Sequence, residues 1–361
     1  MQMSKVANYQ ISPELRDFDP NGVGVVGEGF FALPSTVANS RVSLLMVPWD
    51  VTVSYRSGTA AAPAALLEAS AQLDLYDSSA QGAWREGIAT LPMSEHVEQL
   101  SQSMRPIAER VIAHLEGGGA QVDAQVVTDV ERVNQASREM NKYVYDICSA
   151  ALRDGKIVGV VGGDHSTPYG AMLALSEVYD SFGVLHIDAH RDLREGYEGF
   201  EFSHASVMYN VLRDCESIER LVQVGVRDFC DREQALAERD DRVVNFEDLA
   251  LARAMFEGAT WRTLCDRIVE SLPQRVYVSF DIDGLELAYA PHTGTPVGGG
   301  LSYNQAIYLL ERVVESGREI IGFDVVEVVP HADDVTDLVV GTRMIYKLCG
   351  LAIKSMALQR G

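Results

Sequence analysis

The sequence predicts an α/β protein of three layers (α/β/α), with helices on both faces of a mainly parallel central sheet. Three observations carry that expectation. The chain has 361 residues, 47% of them hydrophobic, enough apolar surface for a large core. From residue 156 onward, apolar β-branched runs of strand length alternate with helical stretches, the pattern of parallel strands covered on both faces. Charged residues gather immediately after those runs, where open α/β sheets bind ligands.

Residues 1–40, rich in Gly and Pro, read as a loosely structured N-terminal arm, and 41–361 as a single α/β domain. "RVSLLMV" (41–47) opens that domain as a short apolar strand. "GTAAAPAALLEASAQL" (58–73) follows as a helix with Pro63 inside its first turns. Residues 76–145 look expanded and helical. There "HVEQLSQSMRPIAERVIAHLEGGG" is expected to break or kink at Pro106 and to stop at three glycines. A second helix is expected over 127–153. Strands then follow at "KIVGVVG", "FGVLHID", "RLVQVGV", "RVYVSFDI" and "REIIGFDVVEV", separated by helices near 168–178, 203–213, 258–271, 302–316 and 333–352.

Composition excludes several classes of function. A net charge of -22 argues against nucleic acid and anionic membranes as partners. No apolar run is long enough for a membrane span, and the N-terminus lacks the apolar core of a signal peptide. Cys148, Cys215, Cys230, Cys265 and Cys349 are scattered and odd in number, so they read as reduced thiols of a cytoplasmic protein.

The ends of three strands carry the chemistry. They read "GGDHS" (162–166), "DAHRD" (188–192) and "SFDID" (279–283). In an extended backbone Asp188, His190 and Asp192 share one face, with Arg191 pointing away, and Asp281 and Asp283 share another. His165 adds an imidazole from a neighbouring end. Carboxylates crowded this closely would take up protons unless cations neutralise them. Two divalent cations would do so, about 3.5–4 Å apart. Oxygen-rich ligation with imidazole and no thiolate suits Mn2+, with Ni2+, Co2+ or Fe2+ as alternatives.

These segments, with "SFDIDGL…APHTGTP" and "VPWDVTVSYRSGTAAAPAALLEAS", resemble the ureohydrolases: arginase, agmatinase, guanidinobutyrase and formiminoglutamase. The likeness runs from about residue 41 to the C-terminus, is weakest over about 76–145, and implies an arginase-like fold. It implies that His165, Asp188, Asp192 and Asp281 hold one manganese, and that Asp188, His190, Asp281 and Asp283 hold the other. Asp188 and Asp281 would bridge. It further implies that a hydroxide shared by the metals attacks a guanidinium carbon, releasing urea and an amine. Asp192 would accept a proton, His204 in "FEFSHAS" would carry one to the departing amine, and Glu327 in "DVVEVVP" would pair with the guanidinium. The resemblance also implies a homo-oligomer, a trimer or hexamer.

His186 reads as a core histidine beside the ligands, His96 and His114 as surface residues, and His292 and His331 as loop residues near the site mouth. Glu286, Leu287, His292 and Val329 depart from the family pattern without removing a ligand, which bears on substrate identity. The loop "LREGYEGFEFSHAS" offers Glu195, Glu198 and Glu201 with Tyr197, a lining for a cationic tail. Agmatine is therefore the expected substrate. Guanidino acids, formiminoglutamate and guanidine are alternatives, and Arg194 is the residue that would hold a carboxylate. A silent guanidinium-binding protein fits less well, since binding alone would not require this full ligand set. A metal-dependent hydrolase of phosphate or amide substrates is the other alternative, and phosphate would call for clustered Lys/Arg or a Gly-rich anion loop where "GGDHS" ends in ligands instead.

Overall fold

A computed structural model describes residues 7–27 and 29–360. The first six residues of the expected arm, its Glu28, and Gly361 lie outside the described residues. The strands are β1 (Val42–Val47), β2 (Ile88–Thr90), β3 (Ile157–Gly162), β4 (Phe182–Ile187), β5 (Ile218–Val224), β6 (Val243–Phe246), β7 (Arg275–Asp281) and β8 (Glu319–Val326). They form one sheet in the order β2-β1-β3-β8-β7-β4-β5-β6. Every pairing is parallel.

The helices are α1 (Ala62–Ser70), α2 (Glu95–Glu116), α3 (Ala124–Arg153), α4 (Tyr169–Val178), α5 (Val207–Asp214), α6 (Asp231–Arg239), α7 (Asp248–Phe256), α8 (Trp261–Glu270), α9 (Tyr303–Glu315) and α10 (Thr336–Arg360). Alternation along the strands divides the core between the two faces. Leu44, Leu185, Val222 and Val278 pack with residues of α1, α8, α9 and α10, while Leu45, Val184, Leu221 and Tyr277 pack with α2, α3, α4 and α5. Three layers result, as the sequence predicts.

Three features differ from the sequence expectation. The helix around Pro106 runs from Glu95 to Glu116 without interruption. Pro106 and Gln102 are both exposed, so the carbonyl that loses its N–H partner faces water rather than the core. Arg105, one residue earlier, donates to the carbonyls of Val51 and Val53 at 3.1 and 2.6 Å and pins the helix to the loop after β1. Second, β2, β6, α6 and α7 escape the sequence pattern. The two strands are only 3 and 4 residues long, and β6 is mostly half-buried, so neither makes a clear apolar run. Third, among its described residues the arm has only short 3-10 turns at Pro13–Leu15 and Phe30–Ala32, yet Phe30, Phe31 and Leu33 are buried. The Phe31 ring meets Tyr346 of α10 edge-on at 4.8 Å.

The sheet order positions the site. The chain winds outward through β1 and β2, returns to lay β3 beside β1, and then places β4 at a distance. Strands β8 and β7 fill that gap. The carboxyl ends of β3, β8, β7 and β4 are therefore contiguous at a topological switch point, where α/β sheets leave a crevice.

Candidate metal centre and active site

Each predicted ligand leaves one of these strand ends. His165 follows β3, Asp188, His190 and Asp192 follow β4, and Asp281 closes β7 with Asp283 just beyond. Gly163 permits the turn into His165, because a Cβ there would run into the Trp49 carbonyl. His165 Nδ1 lies 2.9, 3.0 and 3.2 Å from carboxylate oxygens of Asp188, Asp192 and Asp281. His190 Nδ1 lies 3.2 Å from Asp283 and 3.4 Å from Asp188. Two groups of side chains thus converge on two points, with Asp188 common to both.

Backbone N–H groups aim the carboxylates. Asp188 Oδ1 accepts from His190 N (2.5 Å), Asp281 Oδ1 from Asp283 N (2.8 Å), and Asp283 Oδ1 from Ala189 N (3.1 Å). In each case Oδ2 remains, and it faces an imidazole. Asp192 reaches the cluster from a left-handed backbone, φ 54°. That conformation is costly for a residue other than glycine, on the order of 1–3 kcal/mol. It is held because the Asp192 carbonyl accepts from Met208 and Tyr209 N–H at the start of α5.

The donor set fits divalent cations. His165 Nδ1 is buried and makes no hydrogen bond, although three carboxylate oxygens surround it. Its Nε2 meets Ser279 Oγ at 2.9 Å, and Ser279 donates to Asp324. Such backing orients an imidazole whose other nitrogen serves a metal. Burial, then the charges of Asp283 and Asp188, pushes the Asp281 carboxyl well above its usual range. Cations would reverse that shift. Stripping the protein with a chelator and adding Mn2+ should therefore raise its Tm by several degrees in calorimetry. Saturation at 1,000 times Kd is worth about 4 kcal/mol. An unchanged Tm would contradict a metal site here.

Glu327 follows β8 and is buried, also with a left-handed backbone, φ 61°. Its Oε1 accepts from His165 N (2.8 Å), its N–H donates to the Gly163 carbonyl, and its own carbonyl accepts from Thr293 Oγ1 (2.9 Å). A Cβ on Gly294 would stand 3.2 Å from Glu327 Oε2, so this glycine keeps space open before the carboxylate. His204 opens a short 3-10 turn before α5. Its N–H donates to Thr52 Oγ1 (3.1 Å), and Thr52 in turn donates to Asp164. Burial, above all, lowers His204 to about 3. Its imidazole is therefore neutral at rest.

A cleft of about 150 Å3 opens onto the cluster, lined in part by Ser54, His190, Asp192, Tyr197, His204, Asp228, Phe229 and Thr295.

A profile of the Arginase family matches residues 40–350. The chain belongs to the arginase family. This arginase-family ureohydrolase is 30% identical over 312 residues to the N(1)-aminopropylagmatine ureohydrolase of Thermus thermophilus, covering 86% of this chain and 90% of that protein. It is 27% identical to the agmatinase of Halalkalibacterium halodurans, over 85% of this chain and 90% of the relative. Among solved structures it resembles the agmatine ureohydrolase of Thermoplasma volcanium, with a TM-score of 0.67 and 22% identity over 92% of this chain and 95% of the other. It also resembles the proclavaminate amidino hydrolase of Streptomyces clavuligerus, with a TM-score of 0.67 and 22% identity over 91% and 97%. These two structural likenesses speak for the fold.

Other expectations drawn from the sequence fare differently in the structure. Glu201 is engaged by Arg138 and Arg213, and burial followed by the Glu116 charge raises Glu198 to about 7. Neither lines the cleft; nor does Glu195, which is exposed. His292 and His331 stack on one another at 4.1 Å, with His292 Nδ1 2.8 Å from Asp337 Oδ2, and they also stay outside the cleft lining. His96 and His114 pair with Glu139 and Asp123 on the surface side of α2. The sequence pattern does not single out Asp228, which does line the cleft and bridges in register with His190. A signal for it exists: "GVRDF" places an acid just after β5, as in the three ligand-bearing strand ends.

Proposed function

We propose that this protein hydrolyses agmatine to urea and putrescine, with His165, Asp188, His190, Asp192, Asp281 and Asp283 holding two Mn2+ ions. The observation that carries this reading is the set of pinned carboxylates whose other oxygens face two imidazoles beside the buried Glu327. When bound, such cations supply Lewis acidity and a water that ionises near neutral pH. The protein's own groups do the rest. Glu327 Oε2 is free to take the planar guanidinium in a charge-assisted pair, which presents the guanidinium carbon to the cluster. Asp192, at the cleft, can accept a proton as the carbon becomes tetrahedral. Neutral His204 can take that proton and pass it to the departing nitrogen.

Asp228 supports a cationic tail. It lines the cleft, is exposed, and has no side-chain partner among the described residues. Arg194 beside it stands 3.6 Å from Glu233 and over the Tyr197 ring at 4.5 Å, so its charge is largely offset. The names of the relatives, agmatinase and N(1)-aminopropylagmatine ureohydrolase, favour the same class of substrate. A guanidino acid is the second reading. At 3.6 Å Glu233 is too far to hydrogen-bond Arg194, which leaves the Arg194 fork without a hydrogen bond among the described residues.

Urea release from Mn2+-loaded protein with agmatine, N(1)-aminopropylagmatine, 4-guanidinobutyrate, arginine and guanidine decides between them. No urea from any of the five, with two metals bound, would end the ureohydrolase reading. His204→Ala should lower kcat by about 10^2- to 10^4-fold while Mn2+ content by elemental analysis stays near two per chain. Loss of both metals would instead make His204 a structural support of the cluster. The same reading expects a cytoplasmic homo-oligomer. The free cysteines agree with a reducing compartment, and no helix among the described residues is long and apolar enough to cross a membrane.

A further inference from the structure

By distance alone His186 belongs with the metal ligands, since it groups with His165, Asp188 and Asp192. Its hydrogen bonds assign it a different role. The starting point is Arg191, the one charged member of "DAHRD" that turns away from the cluster, and it is fully buried. Its guanidinium donates to Asn245 Oδ1 (2.6 Å), Gln234 Oε1 (2.6 Å), Glu247 Oε1 (2.7 Å) and, at 3.4 Å, Gln223 Oε1, and it lies 4.0 Å over the Phe229 ring. These contacts tie the end of β4 to β5, β6 and α6.

Gln223 is the informative partner. One end of its amide lies 2.7 Å from the Arg191 carbonyl, which can only accept, and the other end faces the Arg191 guanidinium, which can only donate. Those two contacts decide which end is the NH2 group, a choice that an amide's shape leaves open. The same NH2 group lies 2.9 Å from His186 Nδ1. Nδ1 is therefore an acceptor, and the ring hydrogen sits on Nε2. Nε2 lies 2.8 Å from Asp188 Oδ2.

We propose that Arg191 and Gln223 lock His186 in its Nε2–H form, so that His186 acts as a positioning residue donating to Asp188 and not as a metal ligand. Asp188 then has Oδ1 bonded to the His190 N–H and Oδ2 to His186, each oxygen keeping a lone pair for the cluster. Hydrogen bonds of this kind would hold the orientation of a carboxylate that serves cations. The proposal rests on the two-cation reading above.

Titration calorimetry with Mn2+ on the metal-stripped full chain tests it. Gln223→Met and His186→Leu should each weaken Mn2+ binding by about 10- to 100-fold while two ions still bind at saturation. A fall in the number of ions with His186→Leu, or wild-type affinity in either variant, would overturn the proposal. If both variants fail to fold, nitrogen NMR of the histidine-labelled wild-type protein reads the tautomer directly. Nε2–H supports the lock, and Nδ1–H or an imidazolium overturns it. A wild-type chain that binds no Mn2+ would defeat the functional reading while leaving the tautomer measurement to judge the lock, so the two failures are distinguishable.

Discussion

Asp281→Asn is expected to reduce urea release by about 10^3-fold or more and to lower Mn2+ content below two per chain. The substitution preserves shape: the oxygen of the introduced amide would still accept from the Asp283 N–H, as Asp281 Oδ1 does at 2.8 Å. What changes is the other end. An NH2 group would replace Oδ2, which stands 3.2 Å from His165 Nδ1 and faces the cluster. A negative acceptor becomes a neutral donor aimed at the point where positive charge is to be held. Loss of several kcal/mol of charge stabilisation corresponds to that rate factor. Elemental analysis and a urea assay on the same preparation check both halves. Full metal content with wild-type turnover would remove Asp281 from the site.

Glu327→Gln is expected to leave the metal content unchanged and to lower kcat/KM for a guanidinium substrate by about 10^2- to 10^4-fold, equivalent to about 3–5.5 kcal/mol for losing one partner of a buried charge pair. The amide oxygen could still accept from the His165 N–H, so the turn that carries His165 should persist. Burial, then the Asp164 charge, pushes the Glu327 carboxyl well above its usual range, and a guanidinium beside it would restore the charged form. Glutamine offers no such charge. Activity close to wild type would show that the guanidinium binds elsewhere, while loss of metal would show that Glu327 chiefly supports His165.

The predicted ligands are legible because two signals coincide. Apolar runs mark strands whose burial leaves their carboxyl ends as the polar exits, and alternate spacing puts Asp188, His190 and Asp192 on one face. Asp228 follows the same rule after β5 but stands alone, without a second acid or imidazole at alternate spacing. Glu195, Glu198 and Glu201 mislead for the opposite reason. Three acids in a short loop look like a lining, yet Glu201 is drawn off by Arg138 from α3 and Arg213 from α5, and Arg138 is far away in sequence. Pro106 reads as a helix breaker because its lost hydrogen bond is visible in the sequence, whereas the solvent that satisfies the freed carbonyl is not.

By itself, then, the sequence determined which side chains could hold cations and which layers would cover the sheet, because residue type and local periodicity are properties of short segments. Only the tertiary structure decided that β8 and β7 enter between β3 and β4, so that His165, Glu327, Asp281 and Asp188 meet. It alone decided that Asp228 lines the cleft beside His190. It alone set the direction of the Gln223 amide and with it the hydrogen on His186. Each of these depends on contacts between residues far apart in the chain, and the physical reason is the same throughout. A buried polar group takes its orientation from the partners that satisfy it, and those partners are chosen by the packing of whole elements.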